Sequence, residues 1–412
     1  MSLAFFNNAQ FREQKIAVWV SIGLLVFVSA FMWAPSRDGL EAVFALSFFI
    51  PMLCVLPWRK PSLAEYGGWF TVLALLFGGY SAATAFWAPL PNPGFFLLQF
   101  FILASWLCGL GWMAHRGLIN VATIIKLLVM VGAVMSVINL TVFYAQNPWS
   151  ARLEGWSVTR NPNHIGSIFG VLTLLAYIEW LRAATLKQST YYLACMVLIV
   201  VSVLASQSRA ALGGLGVVLP IAGLLYCRSR SKCLLQFGVL LVLLVSAYAL
   251  RDEVRELLMG RGISLRDMIW DEVLHRTLQD YAIWGIGLEE NARITLTDGS
   301  VFNHAHNAWL DMFYRTGLVG VALSVIYFVY LVRHSLARPE GYPLLLWLLF
   351  GCIYSLVDSR GFFWQIDPKW FCIWLPLGLI GALISAQSSV QVNAQHNKNS
   401  PSRSTEITQE KP

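Results

Sequence analysis

Apolar runs of about 20 residues, the length needed to cross a hydrocarbon core as a helix, recur along this chain almost from end to end. They fall at 16–33, 40–57, 67–87, 94–114, 120–145, 164–184, 190–206, 211–227, 233–250, 307–332, 342–357 and 370–387. None alternates residue by residue as the strands of a membrane barrel do. With no water in the bilayer core to satisfy an open backbone, helices are the expected solution. The predicted fold is an all-α polytopic membrane protein of about twelve transmembrane helices. Residues 1–250 hold the first nine, 251–306 form one long loop, and 307–389 hold the last three. Residues 390–412, rich in Asn, Gln, Ser and Lys, read as a disordered tail.

The polar punctuation carries structure of its own. Little more than Gln207-Ser208-Arg209 separates the seventh and eighth runs, which predicts a tight helical hairpin. Small residues just beyond, Gly213 and Gly214, allow close packing that would draw Arg209 inward between helices; the alternative is an arginine that snorkels to lipid phosphates. Asn161-Pro162-Asn163 is a turn signal at the head of the sixth run. It reads either as a turn and helix cap or as part of a loop that holds Arg152 and Arg160 at a polar site. Within the long loop, Ser264 to Asp267 resembles a capping box, with Ser264 at N-cap and Asp267 at N3. Apolar residues follow in two stripes, Leu265, Ile269, Val273 and Trp270, Leu274, Leu278, Tyr281. That spacing predicts an amphipathic helix of about 16 residues on or near the membrane. Arg266 falls in its first turn, where free N–H groups attract anions, and Trp270 lies one turn further along.

Composition sharpens the picture. Hydrophobic residues make up 57% of the 412 and charged residues 12%, so ionisable groups at the membrane edge are candidates for function. Arg12 and Lys15 precede the first run, and no small-residue cleavage site follows it; it reads as a retained helix. A cytoplasmic N-terminus puts Arg59, Lys60, Arg116, Arg182, Lys187, Arg228, Arg230, Lys232, Arg333 and Arg338 inside. The short outer connections then hold Arg37, Arg152, Arg160, Arg209, Arg360 and Lys369. This moderate bias predicts both termini in the cytoplasm and the long loop outside. The net charge of +7 is mostly that orientation signal, and no soluble domain offers the coherent basic face that nucleic acid requires. None of the seven cysteines lies in an outer loop, so no disulfide framework is expected. No zinc-type Cys/His spacing occurs, and no metal is expected.

The most informative stretch is Asn303-His304-Ala305-His306-Asn307-Ala308-Trp309-Leu310-Asp311, at the seam between the long loop and an apolar run. A histidine at a helix start is commonly a cap. Two of them beside several outer arginines suggest more, because histidine exchanges a proton near neutral pH and arginine presents a planar fork of donors suited to phosphate. Together they suit displacement of a diphosphate: a base for the nucleophile and cations for the departing charge. Asp311 would orient His306 or a neighbouring helix, or serve in a structural salt bridge.

These residues fall into an ordered pattern: Ser208-Arg209-x-Ala-Leu-x-Gly, Arg266-x-x-x-Trp270, Trp284-Gly285-Ile-Gly287, His306-Asn307-x-x-Leu310 and Gly317-Leu-Val-Gly320. The pattern, spread over roughly residues 150–325, resembles the O-antigen ligase/polymerase superfamily of bacterial inner-membrane glycosyltransferases. The resemblance implies transfer of a glycan from undecaprenyl diphosphate to a hydroxyl acceptor at the periplasmic face, without metal or other cofactor. It implies His306 as the catalytic residue, and Arg209 and Arg266 as ligands of the donor diphosphate. Arg152 and Arg160 have approximate counterparts there; His304 is not fixed by the motif, and Asn307, Asp311 and Trp270 are supporting candidates.

Chain length, one compact outer loop and the number of runs favour the branch whose acceptor is lipid A–core. The alternatives are the polymerase branch, which extends a lipid-linked repeat, and the branch that glycosylates protein serine or threonine. A carrier of lipid-linked glycans is the rival outside enzymes, but carriers place charge near the bilayer midplane and use discontinuous helices in paired halves. The expected reaction is inverting: His306 takes the proton of the acceptor hydroxyl while Arg209 and Arg266, with Arg160 or Arg152, neutralise the leaving diphosphate. Expected partners are that donor, lipid A–core and membrane lipids.

Overall fold

The computed structural model describes residues 2–55, 63–234, 236, 238, 265–290, 293–357 and 360–386. Among them, eight helices are long and apolar enough to cross a membrane, and the chain is a polytopic, almost wholly helical membrane protein. The eight are α1 (Ser2–Trp33, apolar from Gln14), α4 (Trp69–Ala83, extended by a 3-10 turn), α5 (Pro93–His115), α6 (Val121–Tyr144), α7 (Pro162–Arg182), α8 (Leu186–Ser206), α9 (Arg209–Tyr226) and α11 (Ala308–Leu336). Three shorter apolar stretches fall on other predicted runs. The first is α2 (Arg37–Phe44), which continues through a π-helical turn into α3 (Ile50–Val55). The others are α12 (Tyr342–Ser355) and α13 (Trp370–Ala386). Most of the predicted 233–250 run lies outside the described residues, as do 251–264 with Ser264, and the tail 390–412.

Local signals act as expected at two junctions. Asn161 caps α7 by accepting the Asn163 N–H at 2.8 Å, with Pro162 in the first turn. At the hairpin, Gln207 takes a left-handed conformation (φ 50°) and α9 starts two residues later. The sequence reading fails for the cysteines. Cys227 and Cys233 are bridged across the turn after α9, their Cα atoms 5.7 Å apart. That pair is brought together by a tight turn, not by the outer loops where bridges were sought.

Helix α7 is the centre of the bundle, buried on nearly every face from Ile165 to Ile178. Gly166 and Gly170 let its neighbours close in, because a Cβ there would meet Ser208 before α9 and Phe350 of α12.

The long loop holds a separate small core. Its helix α10 (Arg266–Asp280) and the antiparallel strands β1 (Ile294–Thr295) and β2 (Val301–Phe302) enclose Ile269, Val273, Ile294, Leu296, Ala305 and Tyr314. The predicted helix is therefore present, but its Ile269/Val273 stripe faces protein, while Leu274 and Leu278 stay exposed. The predicted cap is corrected: Leu265 occupies the N-cap position with no side-chain bond, Arg266 is the first helical residue, and Asp267 follows as the second. The short hairpin was not read from the sequence.

Helix α11 is interrupted at Gly317, whose φ of 61° and ψ of −167° leave the helical region. A break leaves backbone groups unpaired, which is tolerated at membrane depth where protein covers it. Here the segment 282–287 supplies the partners. Ile286 and Gly287 N–H groups donate to the Tyr314 and Arg315 carbonyls at 2.9 and 3.0 Å. Leu318 and Val319 N–H groups donate back to Ala282 and Ile283 at 2.8 and 3.2 Å. The Tyr80 hydroxyl, on α4, closes the clasp by donating to Trp284 O (3.2 Å) and Thr316 O (3.0 Å). Two glycine motifs far apart in the chain thus interlock.

Candidate active site

The two histidines sit on a turn that is gripped from both sides. Between them, Ala305 is fully buried. Its carbonyl accepts the Trp270 indole N–H at 2.9 Å, and its N–H donates to Asp311 Oδ1 at 3.4 Å. Trp270 thereby ties α10 to the turn, and Asp311 ties the turn to α11. Asp311 is itself buried, with Oδ2 accepting from Arg315 Nε (3.3 Å) and Gly361 N (2.8 Å). Asp311 thus forms an ion pair with Arg315 and anchors the turn between the two histidines through Ala305. Asn307 caps α11, its Oδ1 accepting from the Trp309 and Leu310 N–H groups at 3.0 and 3.1 Å. His306 adopts φ 52°, a left-handed conformation uncommon for side chains other than glycine. Such geometry persists where surrounding contacts over-determine it, often at functional sites.

The imidazoles of His304 and His306 lie 4.0 Å apart, tilted by 49°. His304 Nδ1 is 3.1 Å from the His306 backbone N–H and accepts from it, so its proton resides on Nε2. Burial pushes the His304 pKa down to about 3; the adjacent His306 adds to this, Asp311 opposes it, and Lys369 and Arg360 lower it again. His304 is therefore neutral at neutral pH. Its ordinary pKa is 6.5, so an unfolded chain binds this proton first, and the stability contributed by neutral His304 is full above that value. It is lost as pH falls from 6.5 toward about 3. The melting temperature in detergent should accordingly fall over that window, and His304→Asn, which keeps an acceptor near the His306 N–H, should flatten the slope. An unchanged slope in the variant would assign the acid sensitivity to another group.

Cations absent from the expected set surround this turn. Arg315 is buried beside Asp311, and Arg360 stacks over Trp364 at 4.8 Å from the ring centroid. Burial holds Arg360 below its usual pKa, although Asp311 and Asp367 favour its charge. With His304, Glu289 and Glu290 these two arginines border a cavity of about 10 Å³, too small for a sugar. The Asp311/Arg315 spacing of four was visible on the predicted helix. The approach of Arg360, carried by the α12–α13 connection, was not.

The remaining candidates are distributed more widely. Arg266 opens α10, one turn before Trp270. Arg209 opens α9 with its side chain exposed. Arg152 joins the ends of two helices, donating to Ser206 O (3.1 Å) and Asn163 Oδ1 (3.0 Å). Arg160 is exposed, between two clefts beside the α6–α7 connection. The structure thus gathers His304, His306, Asn307, Asp311 and Trp270 into one unit, while Arg152, Arg160 and Arg209 form a second group near the starts of α7 and α9. Among the described residues, no three His, Cys, Asp or Glu side chains converge as a metal-holding group.

Fold and site define a multi-pass membrane protein whose polar connections converge around a buttressed histidine pair. Residues 194–325, from α8 to the middle of α11, match the family described as O-Antigen ligase. Over 372 residues, 89% of this chain and 90% of the relative, the sequence is 26% identical to an O-antigen ligase of Pseudomonas aeruginosa. In both comparisons the chain is similar in sequence to O-antigen ligases. The matched region includes Arg209, Arg266, Trp270, His304, His306, Asn307 and Asp311, whereas Arg152 and Arg160 precede it.

Proposed function

We propose that this protein transfers O-antigen glycan from undecaprenyl diphosphate to the lipid A–core oligosaccharide at the periplasmic face of the inner membrane. The observation that carries this reading is the likeness to the Pseudomonas aeruginosa O-antigen ligase along nearly the full length of both chains. The site supplies a mechanism. His306, on a turn held by Trp270 and Asp311, takes the proton of the acceptor hydroxyl as its oxygen attacks the anomeric carbon with inversion. Arg209 and Arg266 receive the negative charge of the departing diphosphate, with Arg160 and Arg152 extending the basic rim. These arginines would supply the charge stabilisation for which other enzymes use a metal, so the reaction is assigned as metal-independent. His304 lines a cavity of only about 10 Å³, which favours His306 as the group that meets substrate. The reading takes twelve spans and both termini in the cytoplasm. The interruption in α11 is filled by the protein's own main chain, which supports an enzyme rather than a carrier.

A strain lacking the protein should show bare lipid A–core at its surface while long glycan chains accumulate on the lipid carrier. Gels of lipopolysaccharide and of lipid-linked intermediates, run side by side, check this. Lipid A–core capped with a single repeat unit would instead make the protein a polymerase.

A further inference from the structure

We infer that the cleft between the end of α6 and the α6–α7 connection binds a saccharide ring of a substrate glycan; the inference rests on the transferase reading above. The cleft measures about 470 Å³, within the usual range for small-molecule sites. Its walls carry Asn139, Gln146, Asn147, Glu154, Trp156 and Arg160. Asn139 lies in α6 and is 3% exposed. Its Oδ1 accepts the Trp156 N–H at 3.0 Å, but its Nδ2, also buried, has no hydrogen-bond partner among the described residues. A buried amide donor left unmade is costly, and Asn139 itself borders the cleft.

The chemistry around that amide suits a sugar. Trp156 is 56% exposed and borders the cleft, offering an apolar face for the C–H side of a pyranose. Asn147 commits its Nδ2 to Phe143 O at 2.9 Å, so its side-chain oxygen is left to accept from a hydroxyl. Amides, a carboxylate and a guanidinium together both donate and accept, as a polyhydroxylated ring requires. Arg160 would add affinity for a phosphate or carboxylate substituent. Glu154 and Arg160 also border a second cleft of about 580 Å³ that reaches Arg37 and Pro368. The two clefts therefore meet at Glu154 and Arg160, which border both.

The test is calorimetric titration of the full-length protein in nanodiscs with two probes. One is delipidated core oligosaccharide, standing for the acceptor; the other is glycan released from its carrier by mild acid, standing for the donor. Trp156→Ala should weaken binding of at least one probe about tenfold, Trp156→Phe should stay within about threefold, and Asn139→Asp, which keeps the acceptor but removes the donor, should weaken the same probe. The affected probe identifies the source of the sugar. If neither probe binds, or if all variants bind like the parent, the proposal is overturned and Trp156 is an aromatic anchor at the membrane interface. Because binding is read without turnover, absence of transfer to lipid A–core would refute the ligase reading while leaving this result interpretable.

Discussion

Replacing His306 by asparagine is expected to lower glycan transfer by about 10²–10⁴-fold, the usual worth of general-base catalysis, with no loss of folded protein. Asparagine is the informative choice because, like histidine, it tolerates the left-handed backbone found at this position (φ 52°). It removes the base and keeps the turn. Alanine should be equally inactive, but it also bears a backbone cost that blurs the reading. His304→Asn should be milder, since His304 serves as an acceptor for the His306 N–H and borders a cavity too small for a sugar. Initial rates with purified donor and acceptor, beside melting curves for each variant, decide the matter. Near-parental rates in His306→Asn with a loss in His304→Asn would exchange the two assignments.

The largest structural effect is expected at the α11 clasp. Gly317→Ala and Gly285→Ala should each remove most of the folded protein. At Gly317 a Cβ would collide with the Ile283 carbonyl, and at Gly285 with the Arg315 carbonyl and Thr316 N–H. Neither neighbour can rotate away, because both are main chain held in mutual hydrogen bonds. To the left-handed conformation itself, worth about 1–2 kcal/mol for a non-glycine residue, the substitution adds the loss of buried backbone bonds, each costing about 1–3 kcal/mol when left unmade. Gly299→Ala is the control: its φ is +85°, but a Cβ there meets nothing within 4 Å, so it carries the conformational cost alone. Folded yield and melting temperature should rank Gly299→Ala well above the clasp variants. Equal losses at all three positions would show that the interlock contributes nothing beyond backbone conformation.

The clasp also explains why the sequence motifs were visible before their purpose was. Trp284-Gly285-Ile-Gly287 and Gly317-Leu-Val-Gly320 belonged to the resemblance, yet nothing local indicates that one fills the break in the other. The interruption at Gly317 was invisible for the same reason. Glycine inside an apolar helix is common, and it ends the helix here because a second segment supplies the backbone partners. Asp311 is a similar case. Its spacing to Arg315 was legible, but its grip on Ala305 and Gly361 joins segments from three parts of the chain.

What the sequence determined by itself was the all-helical membrane fold, the tight turn at Gln207, the start of α7 and the presence of a helix within the long loop. Each follows from short-range physics: hydrophobic length against bilayer thickness, a proline and an asparagine at a helix start, and apolar spacing at the helical period. Tertiary structure decided which residues meet. It turned the Ile269/Val273 stripe toward protein, bridged Cys227 to Cys233, brought Arg315 and Arg360 around His304, and set Arg152 between two helix ends. Those outcomes depend on which distant backbone and side-chain groups must share a buried charge or hydrogen bond, and periodicity along one chain carries no record of that.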